Sequence, residues 1–339
     1  MVRTTRYSEI KAFRRCPKLH EYAYIQRIQK VRPAAAPHRG TILHEMLDAR
    51  ARRMMGDKTS VPLMILSGYE KKHRSLFAEE RELYGENFIP DIRRVFEGYE
   101  RTWAQDGWEY EYSEQEIETD LGDAKDKELR GVVYHGTLDK IVVTRDDRRW
   151  LVDHKTHKSI PTEEQRFQDY QMLLYVWAWN RENPEEPIDG IIWDYLRTKA
   201  PTIPETLVRG GLTQRANLDT DYYTYMTELK RLKLDPKPYS EFLAGLRQRS
   251  ADKFFLRVPL PKPSKAMTTT VVEDFRATTT AMLQCSRPTR TMTKDCSWCE
   301  FYRLCTAELR GLDSNYILKS EYEERKDEED VEEDEPETR

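Results

Sequence analysis

Three β-type segments, set between segments of helical periodicity, impose the main limit on the fold of this chain. They are rich in β-branched and aromatic residues and cover residues 114–121, 128–144 and 148–156. Asp146 and Asp147 mark a turn between the second and the third, so we expect consecutive antiparallel strands. Apolar residues at near-helical spacing predict a helix over 163–181, and a buried strand follows over 190–199. This order predicts a mixed α/β core.

The segments outside this core are predicted to be mainly helical. Residues 5–30 have helical periodicity, and the ranges 56–110 and 200–250 are interpreted as helical insertions. A strand is expected over 254–263, followed by a helix over 264–284. No internal repeat interrupts this organisation.

Charge is unevenly distributed along the chain. The formal net charge is −4, but residues 321–339 carry −9, which leaves +5 on residues 1–320. Like-charge repulsion and the lack of apolar residues predict a disordered acidic tail over 321–339, beside a single domain over 1–320. The tail is either a solubilising segment, or one that competes with nucleic acid for the mildly basic body or recruits a partner.

Composition excludes several classes of protein. The apolar fraction is 38% and the charged fraction is 34%, as expected for a very polar soluble protein. No stretch approaches the roughly 18 consecutive apolar residues of a membrane span, and the charged N-terminus lacks the apolar part of a secretory signal. Membrane, collagenous and secreted disulfide-rich classes are therefore excluded, and we expect a cytoplasmic protein.

The cysteines form a pattern typical of a metal centre. Cys296, Cys299 and Cys305 have the spacing C-x2-C-x5-C, and Cys16 is the natural candidate for a fourth ligand. Four thiolates suit either zinc or an iron–sulfur cluster, and the spacing does not separate the two. The alternative is a set of ordinary buried free cysteines. Cys285 is interpreted as a spare thiol.

Two aspartates and a lysine form a second constellation. Asp139 ends the segment GVVYHGTLD, and Asp153 and Lys155 lie in WLVDHKT. Strand alternation places Asp153 and Lys155 on one face, with His154 on the other. Carboxylates on neighbouring strands suit Mg²⁺ or Mn²⁺, and an ammonium group beside them can orient a water and stabilise charge on a phosphate. An ordinary ion pair between strands is the alternative.

Three further residues could belong to the same site. His44 lies on a predicted helix before the strands and could supply an imidazole to the metal, although a single helical histidine is more often a packing residue. Gln171 and Tyr175 are four residues apart on the helix after DHKT, so both project from one helix face. There they could hold a water or a phosphate.

Taken together and in order, these residues resemble the PD-(D/E)XK nuclease superfamily, specifically its RecB/AddB-type exonucleases, which include CRISPR-adaptation and phage enzymes. Five segments carry the resemblance and precede the cysteine trio. They are SEIKAFRRCPKLHEYAY (8–24), GTILHEML (40–47), GTLDKI (136–141), VDHKT (152–156) and QDYQMLLY (168–175). The combination spans nearly the whole chain and is specific, although each piece alone is weak.

The resemblance implies a restriction-endonuclease-like core, with a mixed central sheet flanked by helices. It also implies that an iron–sulfur cluster links residues 1–30 to residues 285–310. It also implies residue roles. His44, Asp139, Asp153 and the backbone carbonyl of His154 would bind catalytic Mg²⁺ or Mn²⁺. Lys155 would assist the attacking water, and Gln171 with Tyr175 would position water and DNA. A [4Fe–4S] cluster would be held by Cys16, Cys296, Cys299 and Cys305.

The activity implied is that of a metal-dependent DNA exonuclease. It would hydrolyse single-stranded DNA or duplex ends, with 5′→3′ polarity, in DNA recombination, DNA repair or phage DNA processing in a bacterial or phage-infected cytoplasm. The chain has no G-x4-G-K-[ST] motif and so no helicase motor of its own, so a recombinase, an annealing protein or a helicase is the expected partner. The alternatives are a non-catalytic DNA-binding or assembly factor and a zinc-containing DNA-binding protein.

Four aromatic residues near the expected site could stack on bases: Tyr134, Tyr170, Trp177 and Trp193. At strand and helix spacing, such residues are more often part of the core.

Overall fold

A computed structural model of the chain describes residues 3–32, 34–122, 127–166, 170–249 and 251–325. The β-strands in this part of the chain are β1 (Arg3–Thr5), β2 (Ile28–Lys30), β3 (Glu109–Asp120), β4 (Val132–Val143), β5 (Arg149–His157), β6 (Gly190–Arg197), β7 (Phe255–Pro261) and β8 (Tyr322–Glu324). The first α-helices are α1 (Tyr7–Arg15), α2 (Pro17–His20), α3 (Ala35–Met54), α4 (Pro62–Ser75), α5 (Ala78–Tyr84), α6 (Phe88–Thr102) and α7 (Glu163–Arg166). The remaining ones are α8 (Gln171–Glu182), α9 (Tyr222–Arg231), α10 (Ser240–Arg249), α11 (Ala251–Phe254), α12 (Lys265–Leu283), α13 (Tyr302–Leu309) and α14 (Asn315–Glu321).

The chain divides into two compact units, each built from several segments. The first unit contains Met1–Pro33, Glu118–Gly136 and Thr269–Arg339, and the second contains Ala34–Ile117 and Thr137–Thr268. The predicted iron–sulfur region falls within the first unit, and both predicted helical insertions fall within the second.

A mixed sheet forms the centre of the second unit, as predicted. Its strands lie in the order β4, β5, β6 and β7, and β3 also pairs with β4. The β4–β5 and β6–β7 pairs are antiparallel, whereas β5 and β6 are parallel and are connected through α8. Asp147 adopts a positive φ of 54° in the turn between β4 and β5, which confirms the turn predicted there. The parallel pair places the ends of β5 and β6 side by side.

Helices cover one face of this sheet through two apolar clusters. Ala51 of α3 packs with Val142, Trp150, Val152 and Ile192 of the strands. A larger cluster joins α3, α4 and α6 to the C-terminal end of β6 and the N-terminal end of β7. Its strand residues are Leu196 and Phe255. Burial of this apolar surface fixes α3 and α6 against the sheet, which in turn determines where their polar side chains meet the strands.

The second helical insertion has a small core of its own. Leu212, Tyr225, Leu229, Tyr239 and Leu243 pack together with Leu246 in the segment that contains α9 and α10. Asp221 caps α9 by accepting a hydrogen bond from the Thr224 N–H at 2.6 Å.

The first unit has a separate core near the cysteines. Leu19, Tyr22, Phe301, Leu304 and Tyr322 form it, and the rings of Phe301 and Tyr322 stack with their centroids 5.5 Å apart. Strand β8, which contains Tyr322, pairs antiparallel with β2. Strand β1 pairs in parallel with the start of β4, from Val132 to Tyr134.

Three predictions from the sequence need correction or completion. The single helix expected over 5–30 is a series of short elements, because Pro17 ends α1 and a π-helical turn over Glu21–Ile25 follows α2. The expected disordered tail starts too early at 321: Tyr322 is buried on Phe301, and this apolar anchor holds β8 in place among the acidic residues. The rest of that predicted tail, 326–339, and residues 167–169 of the predicted helix over 163–181 lie outside the described residues.

None of the described helices is long and apolar enough to cross a membrane.

Candidate active site

Asp139 lies where the pairing between β4 and β5 stops. The last paired residues are Lys140 and Val152. One residue further, Oδ2 of Asp139 accepts the backbone N–H of His154 at 2.8 Å, and the same oxygen lies 2.9 Å from Nε2 of His44. The Asp139 side chain therefore replaces a missing backbone partner and joins β5 to helix α3.

His44 lies between two carboxylates. Its Nε2 contacts Asp139, and its Nδ1 is 3.5 Å from Oε1 of Glu114. Burial alone would lower the pKa of His44, but the charge and hydrogen bond of Asp139 and the charge of Glu114 outweigh it and raise that pKa to about 9. The imidazole is therefore protonated at neutral pH, and it must release a proton before it can bind a metal.

Glu114 belongs to the same group, although the sequence analysis did not single it out. One ligand atom from each of His44, Glu114 and Asp139 lies within 4.8 Å of the other two, and no other such group is found in the described part of the chain. The φ angle of Glu114 is 49°, a local irregularity in β3. Burial raises the pKa of Glu114 to about 7, and the charge of Asp139 adds to this. Two carboxylates and one imidazole are suitable ligands for Mn²⁺ or Mg²⁺.

Asp153, Lys155, Gln171 and Tyr175 form a continuous chain of contacts. Nζ of Lys155 lies 2.9 Å from Oδ2 of Asp153 and donates to Oε1 of Gln171 at 3.0 Å. Gln171 in turn donates to the Tyr175 hydroxyl at 2.6 Å. Asp153 is buried and Lys155 is 27% exposed, so the ammonium group is held in position while remaining accessible. The structure thus brings the D-x-K residues and the two helix residues together.

His154 points away from this chain of contacts, as strand alternation predicts. Its Nε2 lies 2.5 Å from Nζ of Lys140, and its Nδ1 lies 3.4 Å from Oδ2 of Asp194. Burial, assisted by the charge of Lys140, lowers the pKa of His154 to about 4, so the ring is neutral.

The predicted catalytic residues therefore fall into two groups that interact electrostatically. Burial would raise the pKa of Asp139, but the charge and hydrogen bond of His44 and the charges of His154 and Lys155 outweigh it and lower that pKa. Burial raises the pKa of Tyr175, and the charges of Asp153 and Asp139 add to this. The metal-binding roles expected for Asp153 and for the His154 carbonyl remain predictions. The sequence pattern did not reveal Glu114, because EYSEQEIETD contains four glutamates and alternation favours none of them.

The four predicted cluster cysteines lie together in the first unit. Cys16, Cys296, Cys299 and Cys305 all line one cavity of about 50 Å³. Cys16 Sγ accepts the N–H of Thr291 at 3.4 Å, and Arg290 hydrogen-bonds Cys305. A tetrahedral zinc site with bonds of about 2.3 Å needs sulfurs about 3.8 Å apart. Within the described residues, no three of these sulfurs lie within 4.8 Å of one another.

The candidate stacking residues are divided between core and partly exposed positions. Tyr134 and Trp193 are buried, so they cannot stack on a base in this conformation. Tyr170 and Trp177 are partly exposed.

Residues 6–306 match the model of the PD-(D/E)XK nuclease superfamily. A search of curated proteins finds no match. Among solved structures, the protein SSO0001 is 15% identical, with 72% of this chain and 80% of that chain covered and a TM-score of 0.30. A protein of Eubacterium rectale, classed provisionally as an exonuclease, is 12% identical, with 78% of this chain and 92% of that chain covered and a TM-score of 0.37. The family match extends over most of the sequence and includes both groups of site residues, and the chain belongs to the PD-(D/E)XK nuclease superfamily.

Proposed function

We propose that this nuclease is a metal-dependent DNA exonuclease that acts on single-stranded DNA or on duplex ends with 5′→3′ polarity. The observation that carries the proposal is the position of the Lys155 ammonium group. It is fixed by Asp153 and Gln171 and interacts electrostatically with Asp139, one of the three clustered ligands. An ammonium group beside a set of metal ligands can stabilise the negative charge that develops on the phosphate during phosphodiester hydrolysis.

The residues would divide the work as follows. When bound by His44, Glu114 and Asp139, Mg²⁺ or Mn²⁺ supplies charge neutralisation at the phosphate and lowers the pKa of a water. Lys155 donates a hydrogen bond to the attacking water or to a phosphate oxygen, and Asp153 and Gln171 keep its ammonium group in place. The water oxygen attacks phosphorus as the water gives up a proton, the bond to the 3′-oxygen breaks, and that oxygen takes up a proton. The product carries a 5′-phosphate.

The four cysteines would hold a [4Fe–4S] cluster with a structural role. Cys16 is separated from Cys296 by 280 positions in the sequence, so a shared cluster closes a very long loop and restricts the unfolded chain. The single cavity that all four side chains line supports this assignment. A role in DNA recombination or repair, with a helicase, a recombinase or an annealing protein as partner, follows from the same proposal.

The decisive experiment compares the wild type with Lys155→Ala on DNA labelled at its 5′ or 3′ end, single-stranded or duplex, with Mg²⁺ or Mn²⁺. Lys265→Ala, which removes an exposed lysine at the start of α12, is the matched control. We expect cleavage by the wild type and the control, early release of the 5′ label, and no cleavage by Lys155→Ala, which should still bind DNA. Binding without cleavage by the wild type would instead favour a non-catalytic DNA-binding factor.

A further inference from the structure

Three basic side chains converge on a single carboxylate beyond the ends of β5 and β6. Arg197 forms two hydrogen bonds with Asp219, at 3.0 and 2.7 Å. Nζ of Lys199 lies 3.2 Å from the same carboxylate, and Nζ of Lys253 lies 2.7 Å from it. The four side chains therefore carry a formal charge of +2.

We propose that the two lysines of this basic strip (Arg197, Lys199 and Lys253) bind backbone phosphates of a DNA single strand beside the catalytic site. The proposal rests on the proposed function for the nature of its ligand. It assigns to the strip a role in holding the strand, separate from the chemistry at Lys155.

The position of the strip relative to Lys155 follows from the strand register. Lys155 pairs with Tyr195 and His157 with Arg197 in the parallel β5–β6 ladder. Because side chains two residues apart lie on the same face of a strand, Arg197 lies on the face that carries Lys155. The shift along the strands is two residues, or about 6.6 Å. A DNA strand with one phosphate at Lys155 could therefore extend directly onto the strip.

Arg197 alone is enough to neutralise Asp219. Its side chain is only 13% exposed, makes both hydrogen bonds to the carboxylate and lies over the ring of Phe254, 4.9 Å from the centroid. Lys199 and Lys253 are 60% and 44% exposed, so their contacts with the same carboxylate add little to folding stability. These two ammonium groups are the surplus charge that a ligand could use.

The chemistry of the strip favours a phosphodiester backbone. Lysine ammonium groups on flexible stems bind phosphate as mobile point charges without requiring one fixed geometry. The strip contains no arrangement that would read a base, and sequence-independent binding is what an exonuclease needs as its substrate shortens. Arg197 would hold the Asp219 carboxylate, which both lysines contact, in place. The phosphates would be bound by the lysines.

The test measures the binding of a fluorescent 20-nucleotide oligothymidylate to the full chain in EDTA, so that no cleavage occurs. The variant Lys199→Gln/Lys253→Gln is compared with Lys230→Gln/Lys237→Gln, which removes two exposed lysines within the second insertion. We expect roughly tenfold weaker binding for the strip variant at 0.1 M salt and a salt slope smaller by about 1.4, since each lost contact with single-stranded DNA contributes about 0.7. The control variant should bind like the wild type.

A second measurement separates strand holding from catalysis. Hydrolysis of thymidine 5′-(p-nitrophenyl phosphate), which has no phosphate beyond the one attacked, should be equal in the wild type and the strip variant. Wild-type affinity and salt slope in the strip variant, or an equal loss in the control variant, would overturn the proposal. If the wild type binds the oligonucleotide but cleaves nothing, the proposed function fails while the binding comparison still decides the role of the strip.

Discussion

Nζ of Lys140 lies 2.5 Å from Nε2 of His154, in a buried layer behind the residues that form the candidate active site. Each of the two follows a site aspartate directly in the sequence: Lys140 comes after Asp139, and His154 after Asp153. Since adjacent strand residues point in opposite directions, the contact ties together the backs of the two strands that carry these aspartates. It restrains the His154 backbone, whose N–H donates to Asp139.

The first prediction follows from this contact. Lys140→Met should weaken Mn²⁺ binding by about 10- to 100-fold, because groups that orient metal ligands typically have effects of this size. The free energy of unfolding should change much less, since burial already lowers the pKa of Lys140 to about 7 and so disfavours its charged form. Isothermal titration with Mn²⁺ measures the first effect, and denaturant unfolding measures the second.

Lys230→Met, an exposed substitution on α9, provides the control and should leave Mn²⁺ affinity unchanged. A Lys140→Met protein that binds Mn²⁺ as tightly as the wild type would show that the contact does not position the ligands.

The second prediction concerns Asp194, which is fully buried behind the site. Its Oδ2 accepts from the Tyr99 hydroxyl at 2.5 Å and from Nε of Arg257 at 3.2 Å, and it also faces His154. Asp194→Asn would leave the buried Arg257 without full charge compensation, so we expect a loss of about 3–5 kcal/mol in the free energy of unfolding. Guanidinium unfolding measures it.

Asp235→Asn, at an exposed position before α10, should change the stability by less than about 0.5 kcal/mol. A similarly small change in Asp194→Asn would mean that Asp106, which lies 3.3 Å from Arg257, compensates the charge alone.

Much of the fold could be predicted because periodicity is a local signal. The strands from 114 to 156, the strand after Gly190 and the long helix before Cys285 all lie where their patterns place them. The region 5–30 could not be predicted as a series of short elements, because its apolar residues keep helical spacing across the break at Pro17. The anchoring of Tyr322 depends on Phe301, a contact that no local pattern contains.

The candidate site was predictable only in part, for a related reason. The spacing of Asp153 and Lys155, and of Gln171 and Tyr175, survives in the sequence because each pair lies on one element. Glu114 lies at a backbone irregularity in β3, and the residue types around it do not predict this irregularity. The layer behind the site draws on separate strands, and nothing in the sequence connects them.

The third prediction tests Glu114 as a metal ligand. Glu114→Gln should weaken Mn²⁺ binding at least tenfold, because it replaces one of two carboxylates in the group with a neutral amide. Glu109→Gln, an exposed substitution on the same strand, should bind Mn²⁺ like the wild type. Equal Mn²⁺ affinity in Glu114→Gln would exclude this side chain from the metal site and leave His44 and Asp139 to act with Asp153.

The fourth prediction distinguishes cluster ligands from the spare thiol. Cys16→Ala should lose the visible absorbance of an iron–sulfur chromophore and most of its iron after anaerobic purification, because Cys16 brings the N-terminal ligand to the shared cavity. Cys285→Ala should keep both, since Cys285 does not line that cavity. A colourless wild type with one equivalent of zinc would favour the zinc alternative.

The fifth prediction concerns acid stability and Asp219. Hydrogen bonds from Arg197, Lys253 and Lys199 hold the pKa of Asp219 well below its usual value of about 3.9. A carboxyl group whose pKa is lower in the folded than in the unfolded chain stabilises the fold above pH 4, and this contribution is lost as the pH falls below that value. Asp219→Asn should therefore be less stable than the wild type by about 1–2 kcal/mol at pH 7, and the difference should shrink toward pH 3.

Urea unfolding at pH 7, 5 and 3 measures this difference in stability, with the exposed substitution Glu241→Gln as the control. A difference that stays constant from pH 7 to pH 3 would show that the two proteins differ in packing rather than in the ionisation of Asp219.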